Sequence, residues 1–362
     1  MNRKDPRSRP PVLVTMLISV LIATACATAP EPLERSLHIY FVDVEGGQAT
    51  LIIMPTGETL LFDAGYPGKG KADPTPGKVR DARDAQRIAA AARDANISRI
   101  DFLIISHFHE DHFGGVIELA QLMPIGTIID HGTEMQKSRD KPKLRSLIQA
   151  YEETRAKSHY VRPTVGDQLP LKGAEITVVS SAGNILETSD DNVESVGSSC
   201  DRPVLTPSEK LENPLSLGIL LRYGEFRFLD LGDLVGQPLS DLVCPTNRIG
   251  TVDVYLVPHH GGADAADPAT LTAFQPRVAI LNNGATKGGA AQMFDVLRST
   301  IGLEDVWQLH WSEAEGAENF SSDRIANLNT QTSHWIKLSA NVNGSFSVLN
   351  GRTGEWKSYN AR

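Results

Sequence analysis

Cysteine is scarce in this sequence: three residues in 362, at positions 26, 200 and 244. Neither Cys200 nor Cys244 sits in a setting that would activate a thiolate, so thiol catalysis is not expected. Positive charge is also in deficit. Lys and Arg number 35 against 44 Asp and Glu, a formal net charge of −9. Such a chain does not steer nucleic acid by its overall field, which speaks against general nucleic-acid binding and a non-specific nuclease, a local basic patch aside. There is no internal repeat and no low-complexity tract. With 41% hydrophobic and 22% charged residues, the composition is that of a soluble globular protein with one large domain or two small ones.

The first residues differ from the rest. Arg3, Lys4, Arg7 and Arg9 precede an apolar run from Val12 to Ala25, which is too short for a membrane span and is soon followed by Pro30 and Pro32. A basic start, an apolar middle and small residues at the end describe an export signal over 1–26, followed by a linker over 27–35. The run ends in Ala23-Thr24-Ala25-Cys26. This resembles a bacterial lipobox, with Cys26 as the lipidated residue; cleavage after an Ala-x-Ala site fits as well. The expected location is the periplasm or, through a lipid at Cys26, the outer membrane of a bacterium, and the membrane is met only through the signal or that anchor. Through Ala25 the segment carries four basic residues and Asp5, so its loss takes the charge from −9 to −12. Without Cys26, Cys200 and Cys244 remain, an even number that in an oxidising compartment reads as a disulfide, with two unrelated buried thiols as the alternative.

From Leu37 strand-like runs alternate with turns: Leu37–Val44, Ala49–Pro55 and Thr59–Asp63, the last two joined by Thr56-Gly57. A loop rich in Gly, Pro and Lys follows from Gly65 to Lys78, with Lys69, Lys71 and Lys78 available to an anion or to solvent. A helix is predicted from Val79 to Ala95, a buried strand over Phe102–Ser106, and a helix over Gly114–Met123. Leu144, Leu147, Ile148 and Tyr151 recur as one face of a further helix. Gly183 to Glu212 is polar and without periodicity, a lid or a disordered insertion. Strands resume at Ser216–Tyr223, Glu225–Asp230, Val252–Val257, Arg277–Leu281 and Val306–His310. Trp335–Val342 and Ser345–Leu349 form a hairpin turned by Asn343-Gly344. Hairpins first, then strands alternating with helices, indicate a layered α/β protein with a mixed sheet. The expected domain spans 36–315, with residues 316–362 as a C-terminal extension whose hairpin packs on it.

The densest chemistry is Ser106-His107-Phe108-His109-Glu110-Asp111-His112-Phe113-Gly114-Gly115. At the end of a strand, residues two apart face one side, so His107 and His109 converge. Asp111 and His112 fall in the turn toward the helix and reach a second point nearby. Imidazoles with carboxylates are ligands for zinc and its neighbours. Phe228-Leu229-Asp230-Leu231-Gly232-Asp233 ends a strand on a carboxylate able to bridge two metals. Leu256-Val257-Pro258-His259-His260-Gly261-Gly262 ends another on two histidines. Adjacent residues on a strand face opposite ways, so one histidine is expected as a ligand and the other behind it or facing substrate.

These pieces, in this order, resemble the metallo-β-lactamase superfamily. Within it they are most similar to the branch that includes the hydrolase domain of the competence DNA-uptake membrane protein. Phe41-Val42-Asp43-Val44-Glu45-Gly46-Gly47-Gln48-Ala49 is similar to that branch's first strand and glycine turn. Leu60-Leu61-Phe62-Asp63-Ala64-Gly65 resembles its next strand, and Asn213-Pro214-Leu215-Ser216-Leu217 its asparagine-and-serine approach to a strand. The resemblance covers roughly residues 36 to 312 and implies an αβ/βα four-layer sandwich with two mixed β-sheets. It also implies two divalent ions, zinc or manganese. By position, His107 and His109 would hold the first metal and Asp111 and His112 the second. Asp233 would bridge, His259 would complete the set, and His260 would stand close behind. His131, at a strand end, is the candidate for one further ligand, and His310 for a substrate-side residue. Asp111, Asp233, His260 and His310 are thus the expected catalytic residues.

The resemblance further implies an exported hydrolase that turns water into hydroxide on its metals and attacks a phosphodiester or phosphate ester. A carboxylic ester, lactone or β-lactam is the alternative substrate, small molecule or polymer, and a non-catalytic metal-bound periplasmic binding protein the alternative role. Two features depart from the branch: Gly262 stands where a serine is usual, and the loop Asn282-Asn283-Gly284 to Lys287-Gly288-Gly289 is unlike the common pattern.

Overall fold

A computed structural model describes Met1 and residues 36–134, 142–187, 200 and 212–362. The expected export signal, Cys26 and the linker lie outside the described residues, as does most of the polar stretch before Glu212.

Alternation decides the first strands. In β1 (Leu37–Phe41), Leu37, Ile39 and Phe41 join one apolar cluster and Tyr40 another, because successive side chains face opposite sides of a sheet. β1 pairs antiparallel with β2 (Thr50–Ile53), which pairs antiparallel with β3 (Thr59–Phe62). The order then becomes parallel through β4 (Ile100–Ile104), β5 (Ile125–Ile129) and β6 (His159–Val161). Parallel neighbours need crossovers. These are α1 (Arg83–Asp94), the single turn α2 (Glu110–Phe113) with α3 (Val116–Leu122), and α4 (Pro142–Arg155). The helix predicted over Gly114–Met123 is α3, and the separate turn α2 ahead of it holds Asp111 and His112. The stripe Leu144, Leu147, Ile148 and Tyr151 is the buried face of α4.

The second sheet begins with antiparallel strands β7 (Glu175–Ser181), β8 (Asn184–Ile185), β9 (Gly218–Tyr223) and β10 (Phe226–Asp230). After α5 (Gln237–Asp241) it continues in parallel: β11 (Val254–Leu256), α6 (Pro268–Phe274), β12 (Val278–Leu281), α7 (Ala291–Ser299), β13 (Asp305–His310) and β14 (Ile325–Asn327). The chain then returns to the first sheet as β15 (Ile336–Ala340), β16 (Phe346–Asn350) and β17 (Trp356–Tyr359). The strand orders are β17-β16-β15-β1-β2-β3-β4-β5-β6 and β14-β13-β12-β11-β10-β9-β7-β8.

The inner faces of the sheets share one core. Ile39, Phe41, Leu60 and Phe62 meet Ile219, Phe226, Phe228 and Ile280, with Phe41 and Phe228 edge to face at 5.9 Å between centroids. The outer face of the first sheet packs on α1, α3 and α4 through Ile88, Leu119 and Tyr151. The outer face of the second packs on α5, α6 and α7 through Leu239, Phe274 and Phe294. Helix, sheet, sheet and helix make the four layers expected.

Residues 316–362 differ from the expected extension. β14 is a member of the second sheet, and β15, paired with β1 from Leu37↔Ala340 to Phe41↔Ile336, is an interior strand of the first. The reason is physical: without β15, the backbone edge of β1 away from β2 would be left unpaired. Cys200 and Cys244 form a disulfide with Cα atoms 5.6 Å apart, as their pairing in the sequence suggested.

Truncating the central core contact should be costly. Phe228→Ala should lower unfolding free energy by about 3–5 kcal/mol, read from urea unfolding. Loss below about 1 kcal/mol would mean the two sheets are not packed as described.

Candidate metal centre

The loops after β3, β4, β10 and β11 converge at the carboxyl ends of those strands, where ligand sites of α/β sheets form. β4 delivers His107 and His109, the turn α2 delivers Asp111 and His112, β10 delivers Asp233, and β11 delivers His259 and His260.

Two groups of donors result: Asp111, His112, Asp233 and His260 in one, and His107, His109 and Asp233 in the other. In the first, His112 Nε2 lies 3.2 Å from Asp111 Oδ2, 3.2 Å from Asp233 Oδ2 and 3.3 Å from His260 Nε2. His260 Nε2 lies 3.2 and 3.3 Å from the same two oxygens. Separations of 3.2–3.3 Å are those between donors that each lie about 2.0 Å from one ion in tetrahedral coordination, the length of a zinc bond to nitrogen or oxygen. The donor set therefore fits a divalent ion. In the second group, His107 Nε2 is 2.9 Å from His109 Nδ1 and 3.7 Å from Asp233 Oδ2. Asp233 belongs to both, and its Oδ1 is buried without a hydrogen-bond partner, which suits a carboxylate shared by two ions.

The ligands are oriented from behind. His112 Nδ1 donates to Asp63 Oδ2 at 2.7 Å, since a carboxylate can only accept, and this turns Nε2 toward the centre. Asp63 also accepts from the backbone N–H and the hydroxyl of Ser106, both at 2.7 Å, and that hydroxyl lies 3.0 Å from His107 Nδ1. Asp63 holds this position with φ 61°, a left-handed conformation that Asp tolerates better than most residues. Gly47 lies against the backbone of Asp111, too close for any side chain, and Gln48 N donates to Asp111 O at 3.1 Å.

Burial and charge compete here. Burial depresses the pKa of His107 and His109, leaving neutral rings fit to bind metal. Burial also opposes charge on Asp111, but Lys287 and His112 outweigh it, and the carboxyl stays well below its ordinary range. At Asp233 burial is likewise overcome, by His112, His260 and His259. His112 is the converse case: burial is outweighed by Asp233, Asp111 and Asp63, which favour a cation on the ring. A divalent ion among the same oxygens answers the same demand.

Several positions differ from expectation. His259 and His260 exchange their expected parts: His260 faces Asp111, His112 and Asp233, while His259 Nε2 stays 3.9 Å from Asp233 and its Nδ1 bonds Asp264 Oδ1 at 2.6 Å. Strand alternation does not apply, because His259, His260 and Gly261 all have positive φ (50°, 55° and 77°). His131 is not among the donors. It follows β5, one strand further out, where its ring meets Phe108 at 5.2 Å and its Nε2 lies 3.2 Å from Glu212 Oε1. His310 does not face the centre's donors as a substrate-side group. It is fully buried, with Nε2 2.7 Å from Asp43 Oδ1, and Asp43 is also paired with Arg87. That network braces the loop of Glu45, Gly46 and Gly47.

Lys287 was not foreseen. Its ammonium bonds Asp111 Oδ2 and lies 3.4 Å from the Tyr66 hydroxyl. The glycines around it are the only signal in the sequence. A side chain on Gly288 would strike His260, and one on Gly46 would strike Lys287 itself. Asp63 and Asp264 were missed as positioning residues, being single acids at strand ends. Lys69, Lys71 and Lys78 are exposed on the surface.

Residues 42–191, which hold the His-x-His-x-Asp-His segment, match the sequence model of the metallo-beta-lactamase superfamily. The two mixed sheets with outer helices form the four-layer sandwich that this resemblance implies. No curated protein matches the chain. Among solved structures, the chain is similar to CmlA, a diiron β-hydroxylase from Streptomyces venezuelae, at 16% identity over 70% of this chain and 45% of that one, with a TM-score of 0.37. It is similar to the metallo-β-lactamase fold protein YhfI from Bacillus subtilis, at 11% identity over 76% of this chain and 96% of that one, with a TM-score of 0.45. A subclass B3 metallo-β-lactamase from a soil metagenome library, MEM-A1, is similar at 14% identity over 65% and 81%, with a TM-score of 0.36. The chain spans about half the length of the CmlA structures.

Asp63→Asn keeps the shape but removes the charge that orients His112. Zinc affinity, followed by calorimetry, should fall about 10–100-fold. An unchanged affinity would show that His112 needs no orientation from behind.

Proposed function

We propose that this metal-dependent hydrolase uses two divalent ions to cleave a phosphodiester or phosphate ester. The observation that carries the reading is the pair of donor groups joined at Asp233, with Lys287 beside them. Bound there, two such ions supply Lewis acidity and a nucleophilic hydroxide at neutral pH. His107, His109 and Asp233 would hold one, and Asp111, His112, His260 and Asp233 the other.

The chain's own residues do the remaining work. Asp63 and Ser106 fix the two imidazoles. Lys287, with about a quarter of its side chain exposed, offers an ammonium to the negative oxygen of a bound ester, and Tyr66 a hydroxyl beside it. A neutral carboxylic ester would bring no charge for that ammonium to meet beyond Asp111. His259 is partly exposed. Burial works against its charge, but Asp233 and Asp264 raise its pKa, so it can hold a proton at Nε2 for the departing oxygen.

The finer assignments follow the same reading. The glycine turn Gly46-Gly47 and the strand ending in Asp63 support the branch that includes the competence-protein hydrolase domain. Export is supported by the basic and apolar start of the sequence and by the Cys200–Cys244 disulfide, which an oxidising compartment would maintain.

The protein from Ala27 onward, loaded with zinc or manganese, should hydrolyse bis-p-nitrophenyl phosphate in preference to a carboxylic ester or a β-lactam. His109→Ala and Asp233→Ala should abolish that turnover. Absence of turnover on all three substrates, with two ions bound, would overturn the reading in favour of a binding role.

Lys287→Met should lower kcat/KM for the phosphodiester about 10–100-fold, as expected for losing a hydrogen bond to a charged group. Equal losses on neutral and anionic substrates would remove the case for anion recognition.

A further inference from the structure

The two halves of the centre are unequal. Asp111, His112, His260 and Asp233 give one half four donors, whereas among the described residues His107, His109 and Asp233 give the other half three. Beside that poorer half runs Glu212–Leu217. Glu212 Oε1 accepts the Phe108 N–H at 2.8 Å, and Leu217 N donates to Ser106 O at 2.8 Å. The segment is thus tied at both ends to Ser106-His107-Phe108, and the charge of Glu212 acts on His109. Gly232, next to Asp233, fits between the two segments: a Cβ there would lie 2.7 Å from the Cβ of Ser106 and 3.6 Å from that of Ser216.

Within this segment Asn213 is fully buried, and neither its Oδ1 nor its Nδ2 has a hydrogen-bond partner. The Ser216 hydroxyl is also buried and unpartnered. A buried carboxamide with both ends unmatched is rare in folded proteins and costly unless something binds it. None of the charged or hydrogen-bonding groups that orient the other ligands reaches it.

We propose that Asn213 gives its carboxamide oxygen to the ion held by His107, His109 and Asp233. The inference rests on the two-ion reading above and adds a ligand to it. An amide carbonyl is a hard, neutral oxygen donor. It adds no charge to a centre that already holds two carboxylates, and it favours manganese over softer ions relative to a third imidazole. The two halves then differ in charge: each has two imidazoles and two oxygens, but one pairs a neutral amide oxygen with a carboxylate and the other has two carboxylates.

The test is manganese binding to the protein from Ala27 onward, by calorimetry and by elemental analysis after desalting, for the wild type, Asn213→Ala and Asn213→Asp. The wild type should take two ions. Asn213→Ala should weaken one of the two by at least about tenfold and leave the other unchanged, while zinc binding changes less. Asn213→Asp, of the same shape but with a carboxylate, should bind that ion more tightly than the wild type. Both manganese affinities unchanged in Asn213→Ala would overturn the proposal and leave the two-ion reading intact. A wild type that takes a single ion would overturn that reading and the proposal with it. If Asn213→Ala does not fold, Asn213→Asp decides: manganese affinity no tighter than wild type at either half would overturn the proposal.

Discussion

A carboxylate with no access to solvent sets the geometry of this protein's centre. Asp63 sits at the end of β3 in a left-handed conformation, a backbone state that costs on the order of 1–3 kcal/mol. From there it binds the next strand, through the Ser106 N–H and hydroxyl, and the turn beyond it, through His112. One residue therefore couples the strand that ends in His107 to the turn that carries His112. Were it neutral or displaced, the rings would keep their places in the chain and lose their direction.

Around that anchor, burial and charge are set against each other. Excluding water discharges His107 and His109 and would discharge the acids too. The acids stay ionised because cationic and imidazole groups crowd them: Lys287 and His112 at Asp111, and three histidines at Asp233. Neutral rings at His107 and His109, beside carboxylates that stay charged, are a donor set suited to a divalent ion, and the positive charge favoured at His112 answers the same oxygens. The positive φ at His259 and His260 belongs to the same design, because it is what swings His260 in and leaves His259 at the rim.

Much of this was legible in the sequence. The alternation of Leu37, Ile39 and Phe41, the helical stripe from Leu144 to Tyr151, and the spacing of His107, His109, Asp111 and His112 each follow from local rules. What escaped depended on partners distant in sequence or on local backbone turns. Which histidine of the adjacent pair faces inward was decided by left-handed turns that strand alternation does not describe. His131 was the candidate for a further ligand and His310 for a substrate-side residue because both end strands, but the strand before His131 is a place too far out and His310 points its ring at Asp43. Lys287 reaches Asp111 across 176 residues, through glycines whose meaning appears only when His260 and Gly46 are seen beside them. The role of residues 316–362 was hidden for the same reason, since nothing local in β15 names β1 as its neighbour.

That last pairing bears on how the protein is made. Ser36 and Asn341, hydrogen-bonded across 305 residues, belong to the first and among the last parts of the domain to leave the ribosome. β1 waits, with one edge open, until β15 has been synthesised. Contacts of such separation are slow to form, because the chain must first close a very long loop. The sheet that presents Asp63, His107 and His109 therefore gains its β1–β15 pairing only once the C-terminal strands are available.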